Sequence, residues 1–98
     1  MIISYCEELE SLKKYVIARQ LLRSGTSIGA NVREAQNAES KAGFIHKLKI
    51  AAKEADETEY WLMLCKYSEN YPYNEELEVK LLSIRKLLNK IIGTLKQS

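Results

Sequence analysis

A stripe of polar residues near the middle of the chain has the side chains of an ion-pair or anion-binding site. Arg23, Ser27, Asn31 and Glu34 follow one another at spacings of 4, 4 and 3 residues, which places them on one face of a helix. A partly buried charge needs a partner. The stripe therefore predicts either a polar network that fixes the register of packed helices or subunits, or a site for an anionic ligand or RNA. The spacing favours the network.

Acidic residues further along the chain are candidate partners for this stripe. If the chain turns near Ser40, antiparallel pairing of the flanking helices places Arg23 opposite Glu57, and Ser27 opposite Glu54. We therefore predict an ion pair between Arg23 and Glu57 across two helices.

Nucleophilic and metal chemistry have little support in the sequence. Cys6 and Cys65 both lie among apolar neighbours, which is typical of buried structural cysteines. His46 is the only histidine, and no Glu precedes it by three residues as a carboxylate-bridged di-metal bundle requires. No glycine-rich phosphate loop occurs. We expect no catalytic residue, cofactor, metal or small-molecule substrate.

Basic residues form two candidate nucleic-acid contacts. Lys49 and Lys53 share a face of the third helical segment, and Arg85, Lys86 and Lys90 cluster on the fourth. The formal net charge is only +2, and nucleic-acid-binding proteins usually have a larger basic excess. A ring of subunits would concentrate such a patch. An ordinary solvated surface is the alternative.

Helical periodicity extends over almost the whole chain. A first segment of about three turns is shorter than those that follow. The second runs from about Lys13 to Ala38 and contains Gly25 and Gly29, each of which costs roughly 1 kcal/mol in a helix. We favour one continuous helix over two helices with a loop, because the apolar phase continues across both glycines. The spacing of these glycines allows close approach of another helix.

The third and fourth segments have heptad-spaced apolar seams. Ser40 can cap the third, Asn74 can cap the fourth, and the only proline, Pro72, lies between them. The third seam comprises Phe44, Leu48, Ala51, Ala55, Thr58, Leu62 and Cys65. The fourth comprises Leu77, Leu81, Ile84, Leu88, Ile91 and Leu95, widened by Leu82, Leu87 and Ile92. Short connections predict an all-α, up-and-down antiparallel four-helix bundle with a shortened first helix, as a single domain over residues 1–98.

Composition excludes several classes of protein. With 46% hydrophobic and 29% charged residues, the chain is typical of globular proteins. It has no apolar run of about 18 residues for a membrane span and no basic leader of a signal peptide. Two distant cysteines favour a reduced, cytoplasmic location. A 98-residue chain buries a modest core, and oligomerisation is a common remedy.

Two stretches resemble a known bacterial family. Residues 19–35, RQLLRSGTSIGANVREA, and residues 40–61, SKAGFIHKLKIAAKEADETEYW, are similar to the four-helix-bundle proteins named for 23S ribosomal RNA intervening sequences, often labelled ribosomal proteins. The resemblance implies a homopentamer without enzyme activity. It also implies that the matching motif residues make bundle and subunit contacts. These are Arg23, Ser27, Asn31, Glu34 and Glu57.

A related pentamer, the accessory protein of diversity-generating retroelements, binds nucleic acid and a reverse transcriptase. By that analogy we expect a non-enzymatic, self-assembling scaffold that associates with RNA or a ribonucleoprotein. Relative to the family, this chain begins near the end of the first helix, so part of the core seam should be exposed. The alternative function is therefore an adaptor that binds a partner helix in the resulting apolar groove.

Overall fold

The computed structural model describes residues 1–97, which form four α-helices and no strand. Helix α1 spans Ile2–Ser11, α2 spans Tyr15–Gln36, α3 spans Lys41–Lys66 and α4 spans Glu75–Gln97. The all-α fold and the short first helix are as predicted. Helix α2 is continuous across both glycines, so the single-helix interpretation of that segment is confirmed.

Local side chains set where α3 and α4 begin. The Ser40 hydroxyl accepts a hydrogen bond from the backbone N–H of Gly43 at 3.0 Å. The Asn74 side-chain oxygen accepts one from the N–H of Leu77 at 2.9 Å. Both contacts satisfy backbone donors that the first turn of a helix leaves free, so both predicted caps are confirmed.

Two residues with positive φ reverse the chain after helices. Lys13 has φ 65° and lies between α1 and α2, and Asn70 has φ 66° and lies between α3 and α4. Asparagine tolerates this left-handed region, whereas lysine is sterically disfavoured there. The turn at Lys13 is closed by a hydrogen bond from the N–H of Lys14 to the carbonyl of Leu9 at 2.8 Å.

Side-chain contacts show that successive helices are antiparallel. Thr58 of α3 meets Ser24 of α2, and Lys47 of α3 meets Glu34 of α2, so positions later in one helix face positions earlier in the other. The four helices form a rod of 47 × 20 × 16 Å. None of them, within residues 1–97, combines the length and hydropathy that a bilayer crossing requires.

The core is densest between α2 and α3, which is the most extensive helix pair. Ala51 and Ala55 are fully buried in the middle of the α3 seam, and their small side chains allow the helices to approach closely. The larger fully buried side chains are Leu9, Leu21, Leu62, Cys6 and Cys65.

The α4 seam is only partly covered. Leu77, Leu81 and Leu88 are buried, but Ile84 is 41% exposed. Leu82 and Leu87, predicted to widen the apolar face, are also exposed. The exposure of Ile84 and Leu87 agrees with the expectation that a short first helix leaves part of the seam uncovered.

Candidate functional site

Arg23 is the centre of a small ion-pair cluster on the α2–α3 seam. Its guanidinium contacts the carboxylate of Glu54 at 3.1 Å and also that of Glu57. The predicted Arg23–Glu57 pair is therefore present. The Arg23 side chain is half exposed, whereas that of Glu54 is mostly buried. This cluster joins the two helices at the surface and leaves the guanidinium with two acidic neighbours, which disfavours an anion site.

The remaining residues of the stripe do not form one continuous network with Arg23. The Ser27 hydroxyl donates to the Arg23 carbonyl at 2.7 Å, and the Asn31 amide donates to the Ser27 carbonyl at 2.9 Å. Glu34 instead pairs with Lys47 of α3 at 3.0 Å. The predicted placement of Ser27 against Glu54 gives no contact between their side chains, because Arg23 occupies the carboxylate of Glu54.

A buried polar pair between α2 and α3 was missed. Thr58 Oγ1 lies 2.9 Å from Ser24 Oγ and 2.8 Å from the carbonyl oxygen of Glu54. Both hydroxyl side chains are almost fully buried, and the contact satisfies groups that would otherwise be costly to bury. The pattern that could have revealed the pair is the presence of one hydroxyl residue in each otherwise apolar seam.

Trp61 extends the same face of α3 by one turn beyond Glu57. Its indole Nε1 is buried without a hydrogen-bond partner among residues 1–97. Its ring meets Tyr60 edge to face, with centroids 5.2 Å apart. This packing is typical of an aromatic that fills the end of a bundle or an interface.

The candidate nucleic-acid residues divide into paired and unpaired groups. Arg85 contacts Asp56 and Glu59 of α3, so it joins α3 to α4 and its charge is neutralised. The register argument applied to the α2–α3 pair, with the turn placed near Pro72, would have found Glu59 opposite Arg85. Arg85 is therefore a poor candidate for phosphate contact.

The lysines of this set lie at the surface. Lys49 lies near Lys96 of α4, and a side-chain hydrogen bond with Lys96, together with the positive charge of that neighbour, lowers the pKa of Lys49. Lys53, Lys86 and Lys90 are exposed and have no acidic partner within the described residues. The structure thus leaves positive charge on the outer faces of α3 and α4.

Both cysteines are buried at the end of the bundle that α1 covers. Burial raises the pKa of the Cys6 thiol to about 11 and also raises the pKa of Cys65. Tyr5, whose pKa burial raises as well, donates a hydrogen bond to the carbonyl of Pro72 at 2.7 Å. These thiols have little nucleophilic character, because the thiolate is the reactive form.

His46 lies far from both thiols. It is an exposed residue in the second turn of α3, whereas Cys65 is near the end of the same helix. Nineteen residues of helix separate them by about 28 Å. Over residues 1–97 the structure brings no three His, Cys, Asp or Glu residues together for a metal ion.

An apolar groove of about 830 Å³ lies between α2 and α4. Its floor includes Phe44 and Leu48 of α3, and it begins beside Gly25, which contacts Ile2 at the first turn of α1. Its other lining residues are Ile28, Gly29, Val32, Arg33, Gln36, Ile84, Leu87, Leu88 and Ile91. A hollow of about 260 Å³ beside Met1 and Ile2 shares Gly25, Ile28 and Ile84 with it.

Comparison with known proteins identifies relatives of this fold. Residues 1–92 match the family described as 23S rRNA-intervening sequence protein. A crystal structure of a protein of unknown function from the S23 ribosomal protein family of Bacteroides thetaiotaomicron VPI-5482 is 49% identical, with a TM-score of 0.85. The match covers 94% of this chain and 85% of that one. No curated protein matches the chain.

Proposed function

Since the chain belongs to the family of 23S rRNA-intervening sequence proteins, we propose that it is a non-enzymatic, self-assembling helical scaffold that binds RNA. The observation that carries the proposal is the amount of large apolar surface left exposed on a small bundle. This surface occurs on both helical hairpins. The exposed side chains include Ile3, Leu12, Tyr15, Val16 and Leu22 on the first hairpin, and Tyr60, Met63, Tyr67, Val79 and Leu82 on the second.

Apolar surface on two different hairpins suits a ring. In a cyclic assembly with more than two subunits, each copy uses two distinct faces, one for each neighbour. Large exposed apolar patches on a monomer mark interaction sites. The family resemblance favours five subunits, so the assembly we propose is a homopentamer.

The non-enzymatic part of the proposal rests on the positions of the reactive side chains. Cys6 and Cys65 are buried with raised pKa values. The imidazole of His46 lies near the opposite end of the bundle. General-base activation of a nucleophile requires the two groups to lie within hydrogen-bond reach.

The proposed RNA contact uses Lys53, Lys86 and Lys90, whose charges have no acidic partner among residues 1–97. RNA phosphates would supply the counter-charge, and binding would release counterions. A ring would repeat the +2 charge of each chain and so strengthen the attraction.

Assembly is tested by measuring particle mass with light scattering after size-exclusion chromatography. We expect a multiple of 11.3 kDa for the wild type and a smaller particle for Leu22→Glu or Met63→Glu. Ser83→Glu, which adds the same charge at an exposed polar position, is the control. A wild-type monomer at every concentration would contradict the proposal.

RNA binding is tested with a fluorescein-labelled RNA stem-loop and fluorescence anisotropy at several salt concentrations. We expect the Lys86→Glu, Lys90→Glu double variant to bind at least about tenfold more weakly. Loss of two phosphate contacts would reduce the slope of log affinity against log salt by about 1.4 to 1.8. The control is Lys47→Glu, Lys66→Glu, which changes net charge equally at lysines already paired with Glu34 and Glu78. Equal binding by the two double variants would exclude the proposed patch.

A second function, that of an adaptor for a partner helix, is favoured by the groove between α2 and α4. Its lining is apolar and its walls are two helices, which is the geometry of helix-in-groove recognition.

A further inference from the structure

The register of the α3–α4 hairpin brings two lysines together where α3 begins and α4 ends. Arg85 of α4 pairs with Glu59 of α3. Because the two helices are antiparallel, the residue ten positions before Glu59 faces the residue ten positions after Arg85. This register places Lys49 next to Lys96, and their side chains do lie beside each other. Adjacent ammonium groups repel, so an anion shared between them would stabilise the pair.

The helix segments around this pair are basic. Residues 41–53 of α3 and 86–97 of α4 contain no Asp or Glu. Lys53 lies one turn after Lys49, and Lys90 lies less than two turns before Lys96. All four lysines are exposed, and we call them the basic end of the hairpin. Packed helices lie about 8–10 Å apart, so the four charges are spread over two helices and do not follow a single line.

The basic end has no exposed aromatic side chain. Residues 41–53 and 86–97 include one aromatic residue, Phe44, and its partly buried ring packs against the core. The exposed rings of Tyr60 and Tyr67 lie further along α3, in a part of the helix that also contains Asp56 and Glu59. Proteins that bind single strands stack the bases on aromatic side chains, whereas double-stranded RNA is bound mainly by its shape and its backbone. The basic end is therefore suited to phosphates and not to unpaired bases.

We propose that the basic end binds double-stranded RNA through its phosphates, without selecting a base sequence. Lys49 and Lys96 share one phosphate, whose charge offsets their mutual repulsion. Lys53 and Lys90 contact other phosphates of the same duplex. The inference rests on the RNA binding proposed above, and it adds the form of RNA that is bound and the part of the hairpin that binds it.

The form of RNA is tested with two fluorescein-labelled probes and fluorescence anisotropy. One is an RNA duplex of about 16 base pairs, the length that a double-stranded-RNA-binding domain spans, and the other is a polyuridine strand of equal length. We expect the duplex to bind at least about tenfold more tightly, because its phosphates are more closely spaced. A second duplex of unrelated sequence should bind like the first.

The two possible failures of this comparison are distinguishable. Polyuridine bound as tightly as the duplex, or a clear preference between the two duplexes, would overturn the present proposal and leave RNA binding intact. No binding of any of these probes would contradict the RNA-binding function itself.

Matched variants test the shared phosphate. Lys49→Gln, Lys96→Gln removes two charges at the basic end, whereas Lys66→Gln, Lys80→Gln removes two charges from lysines that already pair with acidic residues of α4. The first variant relieves a repulsion, so it should fold like the wild type, which circular dichroism checks. We expect it to weaken duplex binding at least about fivefold and to reduce the slope of log affinity against log salt by about 0.9, the value for one phosphate contact. Equal affinities for the two double variants would overturn the proposal.

Lysine acetylation locates the contact independently of these variants. The protein is treated with an acetylating reagent with and without the duplex, and modified lysines are identified by mass spectrometry. We expect the duplex to slow modification of Lys49 and Lys96 at least about threefold, because a bound phosphate covers both amines and favours their unreactive, protonated form. The rate at Lys66 should not change. Protection of Lys66 without protection of Lys49 would overturn the assignment of the duplex to the basic end.

Discussion

The two ends of the bundle differ in how many helices cover α2. At one end α1 lies on α2, and Tyr5, Cys6 and Leu9 are at most 2% exposed. At the other end α1 is absent, and Ile84 and Leu87 remain exposed beside Gly29. Helix α2 runs through both ends without a break. Apolar spacing alone therefore does not decide burial, which also depends on the length of the neighbouring helix.

The largest expected difference in stability between the two ends comes from truncating one side chain at each end to alanine. Leu9→Ala should lower the free energy of unfolding by about 2–5 kcal/mol, because it removes a fully buried side chain and leaves a cavity. Ile84→Ala should cost about 1 kcal/mol or less, because water already reaches it. Urea denaturation followed by circular dichroism measures both losses. Equal losses would mean that the groove is covered in solution.

Cys6, which is buried at the covered end, should also make the protein less stable at alkaline pH. Burial raises the pKa of Cys6 from 9.0 to about 11, so above pH 9 the unfolded chain releases a proton that the folded chain retains. The free energy of unfolding should therefore fall between about pH 9 and pH 11, by as much as about 2 kcal/mol.

Comparison with Cys6→Ala isolates this effect, since lysine titration is common to both proteins. Denaturation at a series of pH values should show the difference in stability between wild type and variant shrinking as pH rises. A difference independent of pH would contradict the raised pKa.

Alanine at each of the two α2 glycines provides a direct comparison of the ends. Gly29→Ala should raise the free energy of unfolding by up to about 1 kcal/mol, because helix propensity improves in open space. Gly25→Ala gains the same propensity but must displace Ile2, and overpacking of this kind costs about 1–3 kcal/mol. Thermal denaturation should rank Gly29→Ala above Gly25→Ala by the overpacking cost, about 1–3 kcal/mol. The reverse order would show that Ile2 does not hold its place on Gly25.

The smallest effect is expected at the surface ion pairs. Arg23→Ala removes contacts to Glu54 and Glu57, and half-exposed pairs of this kind contribute about 1 kcal/mol or less. The loss should diminish at high salt because ions screen it. Arg33→Ala, at the open end, should leave stability unchanged. Denaturation at low and high salt measures both variants. If the stability lost in Arg23→Ala does not change with salt, Arg23 contributes by packing and not by its charge.

Two kinds of feature were predictable from the sequence: those that involve residues within one helical turn, and those that follow from the register of one helix pair. The hydroxyl of Ser40 and the amide of Asn74 cap helices within their own turns, so both were found. Placing one turn near Ser40 was enough to predict the Arg23–Glu57 pair. Continuity of α2 followed from the apolar phase, which outweighs the cost of two glycines.

Other features were not predicted from the sequence, for different reasons. Periodicity places Ile84 on an apolar face but does not say which helix, if any, covers it. Arg85 looked available to a nucleic acid because the register argument was applied to α2 and α3 alone, whereas Asp56 and Glu59 lie across the next turn. Ser24 and Thr58 fit the α2–α3 register, but apolar spacing does not separate a hydroxyl that forms a hydrogen bond from one that only fills space.

The order of helix contacts has a consequence for how quickly the chain folds. The extensive pairs, α1 with α2, α2 with α3 and α3 with α4, each join neighbours along the sequence. Proteins dominated by such local contacts have low contact order and fold on the order of microseconds to milliseconds. The chain can therefore form its central hairpin early and add the outer helices afterwards, with little loop-closure entropy lost at any step.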